Sequence, residues 1–201
     1  MTELSQLPGK AIFKFMAERQ FRISALNLVY LIGASADDWK PLTNTMDSWN
    51  DVRIVVKDSG EVLGSWTATS DPGTYYEKNP MNPDGCALLA LGQHRDGWQR
   101  GTMHEGRYPA LVQTGNPIAI YRDRAGDGGR YGHVQIVEDI GICHHGCNGG
   151  DGGDSIGRWS AGCQVGRYWS SHLSFMQLMK DSGRDTFDAT LIDRNALNSY
   201  L

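Results

Sequence analysis

The apolar positions of this chain fall into short runs broken by glycine-, asparagine- and proline-rich stretches, a pattern that predicts strands and turns more than helices. The clearest strand pair is residues 51–57 and 62–69, joined by Asp58-Ser59-Gly60, which reads as a hairpin. A strand over 26–33 precedes it. Further short strands are expected at 86–93, 110–113, 117–121 and 187–192, and an alternating one at 133–143. Helical spacing occurs twice. Residues 9–20, with Ala11, Phe13, Phe15 and Met16 among charges, read as a short amphipathic helix or an irregular leader. Residues 170–181, with Leu173, Phe175, Met176, Leu178 and Met179, read as a helix ending near Gly183 whose role is core filling. Between these lie a polar loop at 38–50, a Pro/Gly/Asn-rich loop at 70–86 and a Gly-rich connection at 146–157. The expected fold is mainly β with one or two helices: a leader or short helix over 1–24, then one domain over 25–201.

Composition changes this picture little. A chain of 201 residues can bury one substantial core, and 25 glycines with 21% charged residues call for long turns without global disorder. The net charge of −4 and the lack of a Lys/Arg-rich run argue against nucleic acid as a partner. No segment is long and apolar enough to span a bilayer, and the first residues show no basic region followed by an apolar core, so neither a membrane span nor a secretory signal is expected.

The candidate chemistry sits at Ser160-Ala161-Gly162-Cys163-Gln164-Val165, with His144-His145 upstream. A thiol attacks as its thiolate, so a nucleophilic cysteine needs a base or a positive neighbour, and histidine is the usual one. Gly162 would leave room for a carbonyl to approach Cys163, and the N–H groups of the turn could face a developing oxyanion. Ser160 could orient the imidazole or the substrate, or simply suit a turn. If the strand before them continues, alternation sends His144 and His145 to opposite faces, so only one can serve as base.

The run Gly141-Ile142-Cys143-His144-His145-Gly146, then Ser155-Ile156-Gly157, then Ser160-Ala161-Gly162-Cys163, resembles the active-site block of L,D-transpeptidases of the YkuD type. The longer Trp159–Val165 stretch resembles a phage- and prophage-associated branch of that superfamily. So do Asp71-Pro72-Gly73, Asn79-Pro80-Met81-Asn82-Pro83, Gly92-Gln93-His94, Tyr108-Pro109-Ala110-Leu111-Val112-Gln113 and Tyr121-Arg122-Asp123, and the likeness covers roughly residues 25–195. It implies a β-sandwich-like catalytic fold and a Cys163 thioester, with no cofactor or metal. The implied substrates are peptidoglycan stem peptides, cut at an L,D-bond. Aligning the His-Gly step selects His145 as base, whereas a His-x-Gly reading selects His144. Two positions depart from the family pattern: Ala161 stands where many members have His, and Val165 where many have Arg, which removes a group able to hold a carboxylate. His104, Arg107 and Tyr108, with Trp159 and Arg122, are the candidate substrate contacts.

The resemblance implies action in the periplasm or on the cell wall, by an export route left open. A phage lysin or a secreted antibacterial effector, with a delivery or immunity protein of unstated identity, fits the absent signal. A non-catalytic wall-binding module is the alternative from another class. The Cys143-His144-His145-Gly146-Cys147 run admits a zinc site or a disulfide, but ordinary thiols flanking a strand end are the simpler reading. Asp123 and Asp127 among glycines resemble a fragment of a calcium loop and are read as a solvated turn.

Overall fold

The computed structural model describes residues 7–201. In chain order the elements are α1 (Leu7–Glu18), β1 (Leu26–Ile32), β2 (Asp51–Lys57), β3 (Val62–Thr69), α2 (Thr74–Lys78), β4 (Cys86–Leu89), β5 (Gly92–Met103), β6 (Tyr108–Gln113), β7 (Ile118–Asp123), β8 (Gln135–Val137), β9 (His144–Gly146), β10 (Gln164–Gly166), α3 (Trp169–Asp181) and β11 (Thr186–Asp193), followed by a 3-10 turn over Arg194–Leu197.

The fold is mainly β, with three α-helices among the described residues where one or two were expected. The extra one, α2, is a single short turn inside the Pro/Gly/Asn-rich loop. Eight strands close into a barrel in the order β1-β11-β5-β6-β9-β10-β3-β2, and β4-β7-β8 form a separate three-stranded sheet. This differs from the expected sandwich. Alternating strands suit a sandwich and a barrel equally well; closure here depends on β1 pairing antiparallel with β2 and parallel with the remote β11, which no local pattern encodes.

Alternation along β1 organises the core. Leu28, Tyr30 and Ile32 point into the barrel, where they meet Trp98, Phe187 and Leu191. Val29 and Leu31 point outward and are covered, with Val52, Ile54 and Val56 of β2, by Ile12, Phe15 and Met16 of α1. Burial on both faces explains why β1 and β2 read as nearly continuous apolar runs. Of the 1–24 segment expected as a leader or short helix, residues 1–6 lie outside the described residues, and the rest carries a helix packed on the barrel. From the other side, α3 packs against β6, β9 and β10 and adds Phe175, Met176 and Met179 to the barrel core.

Three strand expectations are corrected. The 86–93 run breaks at Ala90 and Leu91 into β4 and β5, which belong to different sheets. β5 then continues to Met103 through Arg95, Asp96, Gly97, Arg100 and Gly101, residues whose polarity hides a strand with much of its length exposed. The alternating segment 133–143 is strand only over Gln135–Val137; residues 138–143 are irregular, and the two histidines ride on β9.

Because Ile12 is fully buried against β1 and β2, Ile12→Ala is expected to lower the unfolding free energy by about 2–5 kcal/mol in urea titrations. A loss below about 0.5 kcal/mol would mean that α1 adds nothing to the barrel.

Candidate active site

Two three-residue strands build the site. β9 and β10 run parallel and in register, Gln164 opposite His144 and Val165 opposite His145. Period-two alternation sends His144 and Gln164 to the buried inner side, whereas His145, and Cys163 one residue before β10, line a common cavity. The opposite-face expectation for the two imidazoles thus applies on β9.

The turn before β10 is held by Ser160, which is fully buried. Its Oγ accepts from Gly162 N–H at 3.1 Å and donates to the Cys163 carbonyl at 2.9 Å, and its own carbonyl accepts from Gly73 N–H. Ser160 therefore shapes the turn that carries Cys163 and makes no described hydrogen bond to an imidazole. Gly162 also has a different reason from the one expected. Its φ of +131° and the Ala87 carbonyl, 2.5 Å from where a Cβ would sit, both require glycine, so the space it leaves is filled by protein backbone. With its N–H committed to Ser160, Gly162 is not a free oxyanion donor. No described hydrogen bond is donated by Cys163 N–H.

The resting pair is neutral. The Cys163 Sγ accepts from Cys143 N–H at 3.4 Å and faces the Gly141 carbonyl at 3.7 Å. Burial pushes this thiol above its ordinary value of 9.0, and the Cys143 N–H offsets part of that rise. His145 Nδ1 meets the Gly146 carbonyl at 3.2 Å, which fits a proton on Nδ1 and leaves Nε2 as the free base nitrogen. Desolvation brings this imidazole down to about 4; the Gly146 carbonyl opposes the shift, and the charge of Arg53, with His104, adds to it.

Arg53, on β2, lies beneath the pair and is almost wholly buried. Its Nη2 donates to the carbonyls of His145 (3.1 Å) and Gln164 (2.9 Å), tying β9 to β10. Its Nε donates to Tyr30 OH at 2.7 Å, and that hydroxyl meets His144 Nδ1 at 2.9 Å. Its Nη1 lies 3.1 Å from His172 Nδ1, and His172 Nε2 reaches the Pro109 carbonyl at 2.8 Å. No carboxylate forms an ion pair with Arg53 among the described residues; its planar group lies over Phe175, 4.5 Å from the ring centroid. Gly146 and Gly166 give this cluster room, since a Cβ would lie 2.5 Å from His172 Cβ and 3.0 Å from Arg53 Nη1 respectively.

Two cavities flank the thiol. The first, about 420 Å³, is lined by His145, His104, Tyr108, Trp159, Arg158 and Tyr76, among others. The second, about 430 Å³, opens past Gly141 and Ile142 towards Asn82 and Arg122. Cys163, Ala161 and Met81 border both.

No family model matches the chain, and no curated protein matches it.

Of the residues singled out from sequence, Cys163, His145, His104, Tyr108 and Trp159 meet at the first cavity, and Arg122 lines the second. Arg107 lines neither; it is exposed and pairs with Glu105 at 3.4 Å. His144 is sealed inside, edge-on to Trp98 at 4.5 Å between ring centroids, and reaches no cavity. Val165, at the position where the family pattern has arginine, is fully buried opposite His145. Sequence reasoning missed Arg53, Arg158, Tyr76, Asn82 and the fully buried His172. An arginine in the middle of the apolar run 51–57 was the available signal for the first of these.

Two outcomes are expected. Alkylation of Cys163 by iodoacetamide, followed by intact mass against a Cys163→Ala blank, rises with pH through 9.0 without a plateau, because a raised thiol pKa keeps the thiolate scarce until then. A plateau between pH 5 and about 7 would instead reveal a resting thiolate–imidazolium pair. Arg53→Met strands two carbonyls, a hydroxyl and an imidazole, and is expected to cost about 3 kcal/mol or more in urea unfolding, with Arg53→Lys recovering only part of the loss.

Proposed function

We propose that this chain is a cysteine acyltransferase acting on the L,D-bond of peptidoglycan stem peptides, as an L,D-transpeptidase or L,D-carboxypeptidase. The observation that carries the reading is that Cys163 and His145, at neighbouring ends of a parallel strand pair, face one cavity. The order of the His-Gly, Ser-Ile-Gly and Ser-x-Gly-Cys steps supports assigning it to the YkuD type of catalytic domain.

His145 Nε2 takes the thiol proton as Sγ attacks the carbonyl of the third stem residue. The C–N bond to the terminal D-amino acid then breaks, the proton passes to its nitrogen, and a thioester remains on Cys163. A neutral pair suits this route: the base is unprotonated at physiological pH, and the thiolate forms only as it is consumed. Cys163 N–H is the turn donor left to meet the tetrahedral oxyanion, a contact worth about 3 kcal/mol in acyl-transfer sites. Resolution by an amine of a neighbouring stem yields a cross-link, and resolution by water a shortened stem. On this reading the protein works in the periplasm or on the cell wall, where its substrate lies.

Incubation with purified tetrapeptide muropeptides, analysed by mass, is expected to yield new dimers or shortened stems. Cys163→Ala should abolish both, and His145→Gln should lower the rate by roughly 100-fold or more. Unchanged muropeptides, or products that persist in Cys163→Ala, would refute the assignment and favour a wall-binding module.

A further inference from the structure

A second free thiol stands beside Cys163. Cys143 and Cys163 each lie one residue before the paired strands β9 and β10, and Gln164 N–H donates to the Cys143 carbonyl at 2.9 Å, so the parallel register carries back to them. Parallel neighbours in register send their side chains to one face. Both sulfurs accordingly meet the same atom, the Gly141 carbonyl oxygen, Cys143 Sγ at 3.5 Å and Cys163 Sγ at 3.7 Å. The Cys143 N–H, in turn, lies 3.4 Å from the Cys163 sulfur. Neighbouring strands run about 4.8 Å apart, inside the roughly 4.4–6.8 Å between α-carbons that a disulfide spans. Rotation of the two side chains is therefore enough to bring the sulfurs together.

The two thiols differ in access. Cys163 is half-buried and borders both cavities, so a small solute can reach its sulfur. Cys143 is buried and borders neither. Burial first, and then the charge of Cys163, push the Cys143 thiol up to about 12, so it does not react by itself. Conversion of Cys163 to an uncharged derivative removes the second of these two causes. Of the remaining cysteines, Cys147 borders neither cavity, and Cys86 lines the second one and is the rival partner.

We propose that Cys143 is a resolving thiol: when a hydroperoxide oxidises Cys163, Cys143 closes a reversible Cys143–Cys163 disulfide that keeps the Cys163 sulfur from being oxidised further. This stands on the placement of the two sulfurs and does not need the acyl-transfer reading. In the first step the Cys163 sulfur attacks the terminal oxygen of the hydroperoxide. The O–O bond breaks, the leaving alkoxide or hydroxide takes the electron pair and the thiol proton, and Cys163 becomes a sulfenic acid. In the second step the Cys143 sulfur attacks the Cys163 sulfur. The S–O bond breaks, and the departing hydroxide takes the Cys143 proton and leaves as water. Two electrons and two hydrogens thus pass from the thiol pair to one O–O bond, and a dithiol reductant reverses the change.

The test treats the reduced chain with hydrogen peroxide, blocks the remaining thiols with iodoacetamide, and reads intact mass and a non-reducing peptide map. The wild type is expected to lose two hydrogens and two alkylatable cysteines, to give a linked peptide joining Cys143 to Cys163, and to recover both thiols in dithiothreitol. In Cys143→Ala, with Cys143→Ser as a second variant, Cys163 is expected to gain two oxygens as sulfinic acid, which dithiothreitol does not reverse. Cys86→Ala and Cys147→Ala should form and release the bridge as the wild type does. A wild-type Cys163 that stays a free thiol, goes to sulfinic acid unlinked or bridges to Cys86 would overturn the proposal, and so would equal recovery in Cys143→Ala. The wild-type map depends on no variant folding, and none of these readings uses muropeptides, so the bridge and the acyl transfer stand or fall separately.

Discussion

A single buried guanidinium holds the working part of this molecule together. Arg53 enters the barrel from a strand that is otherwise apolar and joins β2 to β9, β10 and α3 through donors fixed in one plane. A guanidinium this deep is tolerated only when its N–H groups are met, and here they are met by carbonyls, a hydroxyl and an imidazole. Its charge is not cancelled, and it falls on the surrounding imidazoles: together with burial it holds His144 well below its ordinary range and His172 down to about 3. The group that fixes the spacing of the histidine and cysteine strands thus also helps keep the histidine ready to accept a proton.

The site is assembled from pieces too small to stand alone. Two strands of three residues each have little pairing energy of their own, so their geometry comes from Arg53 beneath, α3 behind and the Ser160 turn in front. Glycine recurs at Gly146, Gly162 and Gly166 for the same reason, since each lies where a neighbouring element comes too close for a side chain.

Much of this was legible in the chain. Alternation gave β2, β3 and the face to which each histidine turns, and helical spacing gave most of α1 and α3. The barrel was not legible, because closure rests on pairing between Leu26–Ile32 and Thr186–Asp193 at opposite ends of the sequence. Nor was β5, whose exposed charged and glycine positions look like loop. Within the site, the motif residues announced themselves, but the roles of Ser160 and Gly162 did not. A small-residue turn looks the same whether its N–H groups face a substrate or its own serine, and only the hydrogen bonds distinguish the two. Arg158 was hidden differently: it and Arg122, which was singled out in the chain, come from separate segments and border cavities beside one thiol only after folding.

The burial that holds the Cys163 thiol above its ordinary value, against the pull of the Cys143 amide, bears on oxidation as well as on catalysis. Peroxides and small disulfides react with thiolates, and a sulfur kept protonated by its surroundings offers them little to attack. A cysteine that stays largely a thiol at rest is slow to be capped by either, so the same burial that delays its ionisation also protects it.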